Sequence, residues 1–204
     1  HIHDFDHTNP EDNTQALLFG RKLAAQYQEA FAEYLPAFRN SFLVSTGNIL
    51  GVRETRRITG DYILNMNDFN TCKNFHDEIC RNAYGIDIHR SKTEEINLAK
   101  KSIEQIKQEI LMSHRTLPKG KSMGIPYRCL TPKGLKNILV AGRCISSDRQ
   151  VNGSIRIIAC SLNTGEAAGI SAALACDTNC NVHDIDTDEL RKRLKKYNAY
   201  LPDV

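Results

Sequence analysis

A chain of 204 residues is long enough to bury one full hydrophobic core, or two small ones, without disulfides or metal to hold it. Its 27 basic and 24 acidic residues leave a net charge of +3, which gives neither nucleic acid nor an anionic membrane a reason to bind. No apolar run approaches the roughly 20 residues needed to span a bilayer, and the polar stretch from His1 to Asp12 lacks the charged-then-apolar order of a signal peptide. Seven cysteines, at 72, 80, 129, 144, 160, 176 and 180, are odd in number and never form a C-x-x-C pair. They fit reduced thiols in a cytoplasmic protein better than a secreted disulfide framework. The first residue is His1, without a methionine, which suggests that a preceding segment has been removed.

In chain order, Asp12-Asn13-Thr14 reads as a helix start and Pro36 as its stop. Leu17, Gly20, Ala24, Tyr27, Phe31 and Tyr34 recur between them at spacings of three and four, a stripe expected to pack on a core. Residues 41–46 and 51–58 are rich in β-branched side chains and punctuated by glycine, so they predict strands. A helix is expected over 67–82, with Phe69, Cys72, Phe75, Ile79 and Ala83 inward, then a short strand over 86–89. Residues 91–113 predict a charged helix with a solvated outer face. A loop at 117–120, a strand over 125–130 and a turn at 131–134 follow. The unbroken apolar run 137–142 suits a strand buried on both faces of a parallel sheet. A helix over about 159–176 and a basic helix over 188–197 close the chain.

The stretch 137–175 is the most informative. Its helix is built from small residues, Gly165, Ala167, Ala168, Gly169, Ser171, Ala172 and Ala173, with two bare glycines one turn apart. Either a backbone packs closely there, or a flat ligand lies at the helix N-terminus. The N–H groups and positive dipole end of that helix suit a group that gains negative charge, as the pyrimidine end of a reduced isoalloxazine does.

The string IPYRCLTPKGLKNILVAGRCISSDRQVNGSIRIIACSLNTGEAAGISAALA, residues 125–175, closely resembles the end of one family of FAD-dependent oxidoreductases. GVRETRRITGDYIL (51–64), YGIDIH (84–89) and DELRKRLKKYNAYL (188–201) resemble further blocks of that family, in the same order. The charged stretch 91–113 is the main departure and reads as an insertion. The resemblance implies an α/β (or α+β) flavoprotein with two intertwined parts. Residues 1–116 would form the substrate-side cap, and 117–204 would complete a Rossmann-like FAD domain. A G-x-G-x-x-G pyrophosphate loop is absent from these residues. The chain is therefore expected to be the C-terminal part of such an enzyme, inactive alone, with a dinucleotide-binding segment as its missing N-terminal partner and FAD held by the complete protein.

By the same resemblance, Ala141, Gly142 and Arg143 should lie along the flavin ribityl or phosphate region. Arg143 stands where many related flavoproteins carry an acid. Ile158, Ala159 and Cys160 would face the pyrimidine edge, with Arg156 in reach of flavin or an anionic substrate. In the cap, alternation along a strand sends Arg53, Thr55 and Arg57 to one face, and Glu54 and Arg56 to the other. Arg53 and Arg56 are candidates to clamp a substrate, or to form an internal Arg–Glu bridge. Asp87 and His89, two apart on a strand, fit an oriented general base or a surface pair. His1, His3, Asp4, Asp6 and His7 have a metal-like spacing but no later ligand pattern, so no metal is assigned. Cys144 and Cys160 lack the C-x-x-C context of redox thiols. The function expected is oxidation or reduction of a small organic substrate such as a sugar or polyol. The alternatives are a lyase-like carbohydrate-acting protein without flavin and a non-catalytic interaction domain.

Overall fold

The computed structural model describes residues 5–88, 96–97, 100–106 and 115–202. It divides into two compact units, residues 1–55 with 90–97, and residues 56–89 with 98–204.

The first unit is dominated by α1, Pro10–Tyr34. Asn9 caps it by accepting from the Glu11 N–H, Pro10 pre-sets the first φ, and Glu11 and Asp12 complement the positive end. The helix starts two residues earlier than Asp12, because Asn9 rather than the Asp-Asn-Thr run supplies the cap. The apolar stripe is not core-packed as expected. Ala16 is the buried residue of this helix, while Tyr27, Phe31 and Tyr34 are exposed. Phe31 meets Tyr27 and Phe38 at centroid distances of 5.8 and 5.6 Å, an aromatic patch of its own. Residues 41–46 and 51–58 form no strand. β-branched residues favour extended backbone, yet a strand exists only where a partner takes its N–H and C=O groups.

In the second unit, β1 (Glu78–Asn82) pairs antiparallel with β2 (Met123–Pro126), with a register irregularity between Glu78 and Cys80. Among the described residues this is the only sheet, so the class is mixed helix with a small antiparallel sheet. The helix expected over 67–82 is only α2, Met66–Asn70, opened by an Asn65–Asp68 capping box. Cys72 adopts a left-handed φ of +50°, which ends the helix, and the chain continues as β1. The strand expected over 125–130 turns after Pro126 into a 3-10 turn, Tyr127–Cys129. Residues 137–142 are no buried strand either: Ile138 is 44% exposed, and the Val140 N–H donates to the Leu130 carbonyl at 2.9 Å. Residues 86–88 form no strand. The charged helix over 91–113 lies largely outside the described residues; 96–97 and 103–106 are helical.

Three helices complete the unit: α3 (Arg149–Ile155), α4 (Ile158–Thr178) and α5 (Thr187–Lys196). Their caps are local. Asp148 accepts from Val151, Asp186 from Asp188 and Glu189, and Asn179 ends α4 in the left-handed region. The core runs from Leu64 and Phe69 through β1 and β2 to Leu174, Leu190 and Leu194.

Asp77 ties the approach to β1 to the end of β2. Its carboxylate accepts from Arg128 Nε at 2.8 Å and from a terminal nitrogen at 3.1 Å. Burial alone would push this carboxyl up, but the Arg128 hydrogen bonds and charge hold it below its ordinary value. A lowered folded value stabilises the protein above the unfolded carboxylate range and stops doing so as pH falls through it. Asp77→Asn is expected to cost roughly 1–3 kcal/mol at neutral pH, the worth of hydrogen bonds to a charged group. It should also flatten the acid limb of a stability-versus-pH curve. Urea midpoints of both proteins from pH 7 down to pH 3 check this; parallel curves would refute it.

Candidate functional site

The site is organised by α4, which is apolar on two opposite sides. Cys160, Thr164, Ala167, Ser171, Leu174 and Ala175 are buried against the core. At 3.6 residues per turn, Ile158, Leu162, Gly165, Gly169, Ala173 and Cys176 fall on the other side, and all six are exposed. Ile158 and Leu162, the bulkiest of them, are 70% and 68% exposed. Contrary to the close packing expected of the glycine pair, a Cβ at Gly165 or Gly169 meets nothing within 4 Å. The bare positions face open space, so these residues keep a surface smooth and apolar without filling it.

A pocket of about 450 Å³ opens at the N-terminal end of that surface, lined by Gly142, Arg143, Ile158, Ser161 and Leu162. Three of these, Gly142, Arg143 and Ile158, are residues singled out from sequence. Gly142 needs its lack of a side chain for conformation, having φ +82° at the start of a 3-10 turn, Gly142–Cys144. Its N–H donates to Thr164 Oγ1 at 3.0 Å, while that hydroxyl donates to the Cys160 carbonyl at 2.8 Å. Thr164 thereby fixes the turn against α4. No side chain caps α4 at Ile157, so its first-turn N–H groups keep their donor capacity.

The remaining candidates sit around this turn. Ala141 precedes it, half-buried, and Ala159 is exposed on the first turn of α4. Arg143 Nε donates to the Arg156 carbonyl at 3.3 Å, and Asn152 Nδ2 to the Arg143 carbonyl at 3.0 Å. The Arg156 side chain is largely buried and donates to the Asp87 carbonyl, while the Asp87 N–H donates to the Gly153 carbonyl at 3.2 Å. Arg143, Arg156 and Asp87 are thus brought together by main-chain acceptors. Cys160 points inward, hydrogen-bonding Asn82 Oδ1 at 3.5 Å, and burial pushes its thiol up to about 11. That leaves it protonated at neutral pH, a poor redox thiol.

Arg53 falls in the first unit and Arg56 in the second, with a bend at Thr55 between them, so strand alternation does not govern their directions. His89 lies outside the described residues, as do His1, His3 and Asp4. His7 Nδ1 is 2.9 Å from Asn13 Oδ1, in a local contact at the start of α1.

Sequence reasoning missed Thr164, Asn152 and the buried chain Asn82–Ser154–Tyr84, in which Asn82 Nδ2 donates to Ser154 Oγ and that hydroxyl to the Tyr84 carbonyl, both at 2.6 Å. A threonine on the buried side of an otherwise small apolar helix was the available signal. Among the described residues, Ser146 Oγ, Ser147 Oγ and Asn152 Oδ1 are buried without a hydrogen-bond partner, in the segment just after Gly142–Cys144.

The pocket thus lies at an uncapped helix start, beside a glycine turn and an exposed, smooth apolar helix face. The family model described as FAD dependent oxidoreductase matches residues 1–194, and the chain belongs to that family. No curated protein and no solved structure matches it. The family relies on FAD, and the residues at the pocket fit such a group: main-chain donors, a glycine turn and apolar side chains, with no carboxylate in the lining.

Proposed function

We propose that this chain supplies the flavin-ring side of an FAD-dependent oxidoreductase acting on a small organic substrate such as a sugar or polyol. The observation that carries the reading is the pocket where Gly142 and Arg143 meet the uncapped start of α4. When bound there, the flavin supplies a two-electron acceptor. The first-turn N–H groups of α4 favour negative charge at the ring edge, Ile158 and Leu162 exclude water from one face, and Arg143 adds a positive charge. His89 takes a proton from the substrate, and Arg56 holds its polar groups. The exposed apolar side of α4 packs on a dinucleotide-binding segment carrying G-x-G-x-x-G, which grips the diphosphate. The enzyme works in the cytoplasm.

The division of labour is directly testable with the 204-residue chain. Riboflavin, which lacks the diphosphate, should bind about as well as FAD by difference absorbance, and ADP should displace neither. Ile158→Asp should abolish binding of both by placing a carboxylate against the ring. FAD binding far tighter than riboflavin binding and displaced by ADP would put the diphosphate grip on this chain and overturn the reading. So would failure of riboflavin to bind at millimolar concentration.

A further inference from the structure

A second cleft, of about 310 Å³, lies between β1, α4 and the turn that follows α5. Its floor is Ile79, Cys80 and Arg81, and its walls carry Asn163 and Glu166 from α4 and Tyr197, Asn198 and Tyr200 from the C-terminal turn. Asn163 and Glu166 are three apart, so their planar polar groups stand side by side on one helix face. The opposite wall is held by the end of α5. Asn198 takes a left-handed φ of +66°, and the Asn198 and Ala199 N–H groups donate back to the Lys195 and Leu194 carbonyls at 3.0 and 3.1 Å. Arg191 then ties the tail down, donating to the Glu78 carbonyl at 2.7 Å and to the Pro202 carbonyl at 2.9 Å. Leu201 is buried. On this fixed turn Tyr197 and Tyr200 remain 63% and 76% exposed.

The chemistry of the lining is selective. No side chain of Asn163, Glu166, Tyr197, Asn198 or Tyr200 makes a hydrogen bond or ion pair among the described residues, so each has its donors and acceptors to spend. Arg81 is already committed, bonding both Glu78 oxygens at 2.9 Å and Ser122 through its other nitrogens. An anion therefore finds no free cation in the lining. A wholly apolar ligand would strand one carboxylate and two amides. A neutral ring with an apolar face and a rim of hydroxyls satisfies both halves: tyrosine rings for the face, Asn163 and Glu166 for adjacent hydroxyls.

We propose that this cleft is a carbohydrate-binding subsite, accepting a pyranose ring across Tyr197 and Tyr200. It goes beyond the flavin reading and does not depend on it, since Gly142, Arg143, Ile158, Ser161 and Leu162 take no part.

The test is a titration of the intact, isotope-labelled chain with cellobiose, maltose and, as a cationic rival, choline, followed by amide chemical shifts. The expected result is that a disaccharide shifts the amides of 79–81, 163–166 and 197–200. Tyr200→Ala and Glu166→Gln should each weaken binding about tenfold, roughly 1.4 kcal/mol. Both positions are exposed, so the amide spectra elsewhere should match the parent and separate lost binding from lost fold. Shifts induced by choline alone, disaccharide shifts elsewhere in the chain, or none for either disaccharide would each overturn the proposal.

Discussion

Gly124→Ala is expected to destabilise the chain by about 1–3 kcal/mol, the cost of forcing extra bulk into a packed core. Gly124 sits in β2 opposite Arg81, and a Cβ there would fall on the Glu78 carboxylate, well inside contact distance. Glu78 is fully buried, so its carboxylate must shift within the core to admit the methyl group. Its oxygens accept from Arg81 at 2.9 Å, and one also accepts from the Phe75 N–H at 3.2 Å. Moving the carboxylate would leave a guanidinium and an amide without their acceptor in the core, against a total stability of typically about 5–15 kcal/mol. Gly51→Ala is the control, since its Cβ would meet nothing within 4 Å. Urea unfolding of both variants gives the comparison. A shift of the Gly124 variant no larger than that of the Gly51 variant would show that the carboxylate swings aside freely.

In the flavin-loaded enzyme, His89→Ala is expected to slow flavin reduction by roughly 10²–10⁴, the usual worth of a positioned general base. Arg156→Ala should act differently. Its guanidinium donates to the Asp87 carbonyl, and its own carbonyl accepts from Arg143, so it is a positioning residue for both segments. Removing it should raise the half-saturation concentration for substrate more than it lowers the limiting rate. Stopped-flow reduction over a range of substrate concentration and pH distinguishes them. The alanine at 89 should erase a pH-dependent limb of the limiting rate that the Arg156 variant retains. An unchanged limiting rate in the His89 variant would take that histidine out of the chemistry.

The last two helices were legible because their determinants are local: the small residues of α4 mark its whole length, and Asp186 announces the start of α5. The start of α1 was read at Asp12 instead of Pro10, and α3, capped by Asp148, was not expected, because a single capping residue ahead of a short helix is a weak signal. The strands were not legible, because composition fixes backbone preference but not the partner. Residues 51–58 and 137–142 carry strand-forming side chains yet find no ladder, while Glu78–Asn82 has a partner far off in the chain. Phe69, Cys72, Phe75 and Ile79 imitate a helical stripe, and only the left-handed turn at Cys72 breaks it. At the site, Gly142, Arg143 and Ile158 line one pocket. The hydrogen bonds that hold them, Gly142 to Thr164 and Arg143 to Arg156, connect residues 13 to 22 positions apart and leave no periodic trace.

One helix serves two hollows of the second unit. Ile158, Ser161 and Leu162 line the pocket at Gly142, and Asn163 and Glu166 line the cleft at the C-terminal turn. Residues 162 and 163 are successive, about a quarter-turn apart on one rod, so a rotation that seats a ligand against Leu162 carries Asn163 with it. Whatever free energy couples the two occupancies must be equal in both directions. A guest that shifts α4 at either end would therefore act on the other, with α4 as the shaft between them.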